Sequence, residues 1–354
     1  MLVVVLVLLM LIISSAKFAP AGEFYSDYNS KEKTTMIKGI FVFLVFCSHF
    51  TNAKYNINLE SVLDEPYLIF KSNFGQMVVA MFLFYSGFGI MESITKKGFN
   101  YVKSIPYKRF LRVLLNFDIA VLLFLVVQFF IGKTFTLKTI LFSLIGYKSI
   151  GNSNWYIFVT LVLYLLVFLS FLLIKIKKNK ITLFISLLLL FALTVLFVYS
   201  QIYLDRLRYT YNTAIIFVFG CFYSYFKPYF DKIVTKNGFV YLAVCLAITC
   251  IGLFAFNHKS ENLIYYSFWG VSFVLAVVLL TMKITIANPL FKWFGNHVFS
   301  IYILQRIPMI LLHHFKFGES HKWESFIIAL ISTCVLAVIF DFFTGKLQKL
   351  IWKK

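Results

Sequence analysis

Lys38 and His49 lie eleven positions apart on one apolar run, Met36–Phe50. Eleven residues make close to three α-helical turns, so both side chains project from the same helix face, ~16 Å apart along the axis. An ionisable group inside a membrane span is costly and marks a functional site by default. The imidazole of His49 is suited to take a proton or an acyl group, and the ammonium of Lys38 to hold an anion at the membrane edge.

A second cluster is Pro106–Arg112. Arg109 and Arg112 are three apart and so share a face of a regular helix. Two guanidinium forks side by side grip a phosphate or pyrophosphate through paired hydrogen bonds. The chain has only three other arginines, Arg206, Arg208 and Arg306, so placing two here is pointed. The plainer reading is a basic anchor that snorkels to lipid headgroups.

Three further motifs carry polar groups into apolar surroundings. Phe82–Phe88 contains Ser86 and Gly87, small residues whose ordinary role is close helix packing. Gly151–Tyr156 contains Asn154 and Trp155 at the start of a span. Trp and Tyr there are belt residues, while the Asn-Ser-Asn run suits a helix cap or a sugar contact. Gly295–Arg306 contains Ser300 and Tyr302 and ends on an arginine near mid-membrane that needs a partner. Asp118 is the first candidate for that partner and Asp341 the second, and a structural ion pair serves as well as a catalytic one. His313 and His314 fall at the outer end of that span, where interface residues are common, and Glu92 is placed to pair with a nearby lysine.

The elements that must position these groups are helices. The chain is 61% hydrophobic and 14% charged, where a soluble domain has about 25% charged residues. The 44 Phe and 21 Tyr suit lipid-facing helices and interface belts. Eleven apolar segments are long enough to span, or nearly so: 2–15, 37–53, 74–94, 111–131, 154–174, 181–200, 211–227, 238–256, 262–282, 297–315 and 323–343. The expected fold is all-α, a polytopic membrane helix bundle of about ten core transmembrane helices plus one N-terminal helix. Residues 1–35 form the N-terminal helix with a surface linker, and 36–354 the membrane domain.

The formal charge of +20 does not point to nucleic acid. The basic residues sit in short links between apolar runs, where they set topology and meet anionic lipid. If the 95–112 link is cytoplasmic, that side carries about 23 Lys and Arg against about 10 on the other. This bias puts the C-terminus and Lys38 at the cytoplasmic side of a cell membrane and His49 towards the outer half. Leu2–Ile13 followed by Ala19-Pro-Ala21 has the length of a signal peptide, but it lacks a positive leader, and cleavage would oppose the charge bias. A retained helix is expected. Cys47, Cys221, Cys245, Cys250 and Cys334 all lie in apolar segments with no Cys-x-x-Cys pair, so neither a disulfide framework nor a metal site is expected.

Taken in order, these motifs resemble the integral-membrane acyltransferase family 3. Its pattern of a basic residue, ten positions and His is matched by Lys38 and His49. Its Arg-x-x-Arg pair is matched by Arg109 and Arg112, and its Phe-x-Ser-Gly-Phe signature by Phe84, Ser86, Gly87 and Phe88. Its polar-Trp-aromatic helix opening is matched by Asn154, Trp155 and Tyr156. A late Gly/Ser/Tyr/Leu pattern is matched loosely by Gly295, Ser300, Tyr302 and Leu304, with Gln305 where many relatives have His. The resemblance covers roughly residues 36–343, and the membrane module alone, without the hydrolase-like extension of some relatives, is expected.

The resemblance implies an O-acyltransferase that moves an acyl group, acetyl in the first instance, from cytoplasmic acyl-CoA to a hydroxyl of an extracytoplasmic glycan or lipid-linked sugar. Acyl-CoA is then a donor substrate, with no permanently bound cofactor. Arg109, Arg112 and Lys38 would meet its phosphates, and His49 would act as base or acyl carrier. Ser86, Asn154, Trp155, Ser300, Tyr302, Arg306 and Asp118 would support them. Membrane lipids are expected partners, and the oligomeric state is not readable. The alternative from another class is a transporter or flippase of a glycan or lipid intermediate, which also needs polytopic helices with few buried charges.

Overall fold

The computed structural model describes residues 1–59, 61–176 and 179–352. Lys177, Lys178, Lys353 and Lys354, which contribute to the charge bias, lie outside the described residues. Helices cover all eleven apolar segments. The first half holds α1 (Leu2–Ser15), α2 (Lys31–Phe50), α3 (Glu65–Lys97), the short α4 (Phe99–Val102), α5 (Arg112–Phe130), the surface helix α6 (Leu137–Leu144) and α7 (Trp155–Ser170). The second half holds α8 (Lys180–Tyr203), α9 (Ala214–Val234), α10 (Gly238–His258), α11 (Leu263–Lys283), α12 (Pro289–Asn296), α13 (Val298–Leu304), α14 (Arg306–His314), the short α15 (Phe317–Ser320) and α16 (Lys322–Ile351). Among the described residues, eight helices are long and apolar enough to cross a membrane. The chain is a multi-pass membrane protein.

The starts of the helices follow from side chains able to satisfy their free N–H groups. Asn179, Asn237, Asn262 and Asn288 accept from Thr182, Val240, Tyr265 and Leu290, and Ser30 caps α2 through Lys33. The long apolar spans then need no amphipathic stripe, because one side of most of them faces lipid.

Two close crossings fix the site-bearing helices. Gly39 of α2 lies against α12, where a Cβ would stand 1.9 Å from the Phe291 carbonyl oxygen; from the other side, a Cβ at Gly295 would stand 1.9 Å from that of Thr35. Gly87 of α3 and Gly220 of α9 make the same reciprocal contact with the Phe217 and Phe84 carbonyls, at 2.0 and 2.3 Å. Glycine is required at all four because backbone meets backbone. The packing role read for Gly87 is what the crossing shows.

Two sequence expectations need correction. The 16–35 stretch is not simply a surface linker. Its Ala16–Phe18 (β1) pairs antiparallel with Ile284–Ile286 (β2) beyond α11. Tyr28 is buried and bonds both Tyr223 (2.6 Å) and Asp231 (2.5 Å). The tenth apolar segment, 297–315, is not one helix but α13 and α14, broken at Gln305, with the separate α12 ending just before it at Asn296. Pro308 cannot donate to the Leu304 carbonyl and crowds that turn, which places the break. There the Gln305 amide donates to the Tyr302 carbonyl at 3.0 Å, the kind of side-chain repair an interrupted span requires.

Candidate active site

Lys38 and His49 open into two different cavities. Lys38 lines one of about 940 Å³ at the lysine-rich end of the bundle, the basal cavity. His49, three turns further along α2, lines a distal cavity of about 760 Å³. Among the described residues, Tyr302 is the one that lines both. It is 3% exposed, its ring lies 6.1 Å from His49 on the distal side, and it packs edge-on to Tyr156 at 5.2 Å. The two tyrosines form a wall between the lysine and the histidine.

Basal lining residues include Lys31, Lys38, Lys96, Arg109 and Lys227, opposed by Asp27 and Glu92. Glu92 pairs with Lys96 at 3.3 Å, Asp27 with Lys33 at 2.6 Å, and Lys227 with Asp231 at 2.5 Å. Lys31, Lys38 and Arg109 have no carboxylate partner among the described residues. Arg109 is held by its Nε–H to the Tyr101 hydroxyl at 3.0 Å, and Ser86 bonds the Tyr164 hydroxyl at 3.2 Å on the same wall. A cavity with unneutralised cations of this kind suits phosphate.

Arg112 does not join this group. Its guanidinium lies over the Trp352 ring at 5.4 Å, and its Nε has no partner. The cause is local: Pro106–Leu111 is a π-helical turn. A wider turn holds more residues, so positions three apart no longer share a face. The expectation of two forks side by side fails for that reason.

The distal cavity is lined by His49, Asn154, Trp155, Tyr302 and Arg306, with Lys71 and Lys54 at its edges. The His49 Nδ1 and the Tyr302 hydroxyl are buried without partners. Asn154 sits at the N-cap of α7, but its amide donates to the Gly146 carbonyl at 2.7 Å rather than capping. Lys71 donates to the Thr51 carbonyl at 2.7 Å. An imidazole beside a phenol and a guanidinium can accept a proton or an acyl group while charge on an adjacent oxygen is stabilised.

Neither partner named for Arg306 is its partner. Its guanidinium donates to the Asn152 carbonyl at 3.4 Å. Asp118 makes no ion pair among the described residues. Asp341 is engaged by His297 at 2.5 Å and by the Ser300 hydroxyl, which ties α13 to α16. Ser300 therefore holds the segment that carries Tyr302 and does not line either cavity. Spacing arguments ranked these partners by depth in the membrane, and depth says nothing about rotation around the helix axis. Sequence reasoning missed Tyr156 as part of the wall and Lys71 as a cavity cation. Tyr156 carried a signal, its place in the Asn-Trp-Tyr run, whereas Lys71 carried none. Among the described residues no three His, Cys, Asp or Glu side chains form a metal-binding set.

Comparison with known families identifies the chain. Residues 35–342 match the family model of the acyltransferase domain, acyltransferase family 3. The chain belongs to that family and is a membrane acyltransferase, a transferase of groups other than amino-acyl groups. No match was found among curated proteins or among solved structures.

Proposed function

We propose that the chain O-acylates a glycan across the membrane, with acyl-CoA (acetyl-CoA in the simplest case) as donor in the basal cavity and a hydroxyl acceptor in the distal one. The observation that carries this reading is the shared wall: a cationic cavity and a histidine cavity open from opposite ends of the bundle and meet at Tyr302. In this reading the bundle spans the plasma membrane with its lysine-rich face and C-terminus in the cytoplasm, the orientation that the charge bias supports. Acyltransferase membership supports this reading over the transporter one.

In this proposal Lys38 and Arg109 take the CoA phosphates, and the pantetheine arm runs along α2 towards His49. The thioester reaches the imidazole only when the Tyr302 side chain swings out of the wall. One balanced route is covalent. An imidazole nitrogen attacks the thioester carbonyl, a C–N bond forms, the C–S bond breaks, and CoA leaves as the thiol with the imidazole proton. The acceptor hydroxyl then attacks the acyl carbon, a C–O bond forms, the C–N bond breaks, and the hydroxyl proton returns to the imidazole. The other route is direct, with His49 taking the hydroxyl proton as oxygen attacks the thioester. Acyl-histidine trapped by rapid acid quench separates them. The closed wall favours the covalent route, since it lets each cavity work while the other is shut.

The test is transfer of labelled acetyl from acetyl-CoA to glycan by purified protein in nanodiscs. His49→Ala is expected to abolish labelling while the protein stays folded in the bilayer. Undiminished labelling by that variant refutes the reading.

A further inference from the structure

A third cavity, of about 440 Å³, opens beside the distal one at the end of the bundle away from Lys38. Lys54 lines both, and among the described residues it is the one they share. Lys133 and Lys316 add two exposed ammonium groups to the third cavity, and Lys71 and Arg306 add two cations to the distal one. Against these five cations the linings contain one carboxylate, Glu319. None of the five makes an ion pair among the described residues.

The cavity also holds polar groups with nothing to bind. Tyr55 is 3% exposed, and its hydroxyl has no partner. Its ring packs against His313 at 6.1 Å, and the His313 Nδ1 is likewise unpartnered. In the adjoining distal cavity the Arg306 Nε is a third such group. Lys316 is fixed at φ 54°, a backbone conformation that L-residues rarely adopt, so the turn that presents its ammonium is strained. Partial burial, and then the like charges of Arg306 and Lys133, push the Lys54 ammonium down to about 8. Concentrated, mutually repelling cations around unused donors are the inverse image of a polyanion.

We propose that the acceptor is an acidic glycan, whose carboxylates or phosphodiesters lie along Lys54, Lys133 and Lys316 while its hydroxyl enters the distal cavity at His49. This rests on the reading of His49 given under Proposed function. It adds the substrate class and an extended acceptor track across two cavities.

The experiment compares three acceptors of equal length with purified full-length protein and labelled acetyl-CoA: a neutral glucose oligomer, an oligoglucuronate and an oligo(glycerol phosphate). At least one anionic acceptor is expected to exceed the neutral one by tenfold or more in kcat/KM, and the better of the two identifies the anion. That ratio is expected to fall about tenfold in Lys54→Gln/Lys133→Gln and to shrink with salt, while Lys148→Gln, outside all these cavities, leaves it in place. Equal use of all three, or a preference for the neutral one, overturns the inference and leaves the acyltransferase reading standing. If the double variant loses activity equally on every acceptor, and the loss disappears in nanodiscs without anionic lipid, the cations serve headgroups and the inference is overturned. If acetyl-CoA is not consumed with any acceptor, the reading of His49 fails and takes this inference with it.

Discussion

Replacing Gly39 by alanine tests whether the α2–α12 crossing positions the site. A Cβ there would sit 1.9 Å from the Phe291 carbonyl oxygen and 2.9 Å from the Gly295 amide nitrogen. Contacts below 3.0 Å are essentially never tolerated, so the backbones must separate by at least about 1 Å. Neither partner is a flexible side-chain tip, so nothing cheaper can give way. Overpacking of this kind costs about 1–3 kcal/mol. The same displacement moves the helix that carries Lys38 next door and His49 further along. A misplacement of about 1 Å at reacting groups costs on the order of a hundredfold in rate. The assay is paired: thermal unfolding of the detergent-solubilised protein by size-exclusion fluorescence, and acetyl transfer in nanodiscs. Gly345→Ala is the control, since a Cβ there meets nothing within 4 Å and alanine is the better helix former by about 1 kcal/mol. Gly39→Ala is expected to lower the melting temperature by several degrees and transfer by on the order of a hundredfold, with Gly345→Ala unchanged or more stable. A Gly39→Ala protein as stable and as active as wild type would refute the claim that this crossing sets the site.

The two arginines are expected to part company. Arg109→Ala should raise the KM for acyl-CoA severalfold, because Arg109 lines the basal cavity, whereas Arg112→Ala, whose guanidinium faces Trp352, should leave that KM unchanged and lower stability instead; donor titrations and melting curves together check this. Transfer to an oligoglucuronate should weaken as pH rises from 7 to 9. Lys54, with its ammonium near 8, is about 90% charged at the lower limit and about 10% at the upper. Groups facing it are Arg306 and His313 of α14, Lys133, Glu319, Tyr55 on its own turn, and Lys71 and His49 across the distal cavity. The same titration works the other way on the fold. The folded chain holds this proton less tightly than the unfolded one, so between about 8 and 10.5 its contribution to stability rises with pH. An acceptor KM that climbs through pH 8 in wild type and stays flat in Lys54→Gln is the expected pair of curves.

The helices were legible because hydrophobic runs of span length have few other fates. The Lys38–His49 spacing was legible for a related reason: within one regular helix, sequence distance converts directly into direction and rise. Both conversions fail where regularity fails. Arg112 left the expected face because the turn before it is π-helical, and the tenth span broke where Pro308 interrupts its ladder. Contacts between distant segments were out of reach altogether. Nothing local to Asp341 says that His297 and Ser300 will face it, and nothing in Ala16–Phe18 announces pairing with Ile284–Ile286. The candidate site shows the same division. His49, Lys38 and Arg109 each carried a local signal. The Tyr302 wall, and the convergence of Lys54, Lys133 and Lys316 from three separate loops, exist only once the bundle has closed.

A bundle hollowed from both ends has an obligation that chemistry does not impose. Where two water-accessible vestibules approach each other across a bilayer, whatever divides them is also the electrical insulation of the cell at that point. Here the partition includes the Tyr302 ring, which both cavities share, and the Tyr156 ring packed on it, carried on a seven-residue helix and on the first turn of α7. Trimming either ring to a small side chain would open a leak for protons and small ions, whatever it did to turnover. Conductance across a planar lipid film therefore reads this partition independently of any acyl transfer.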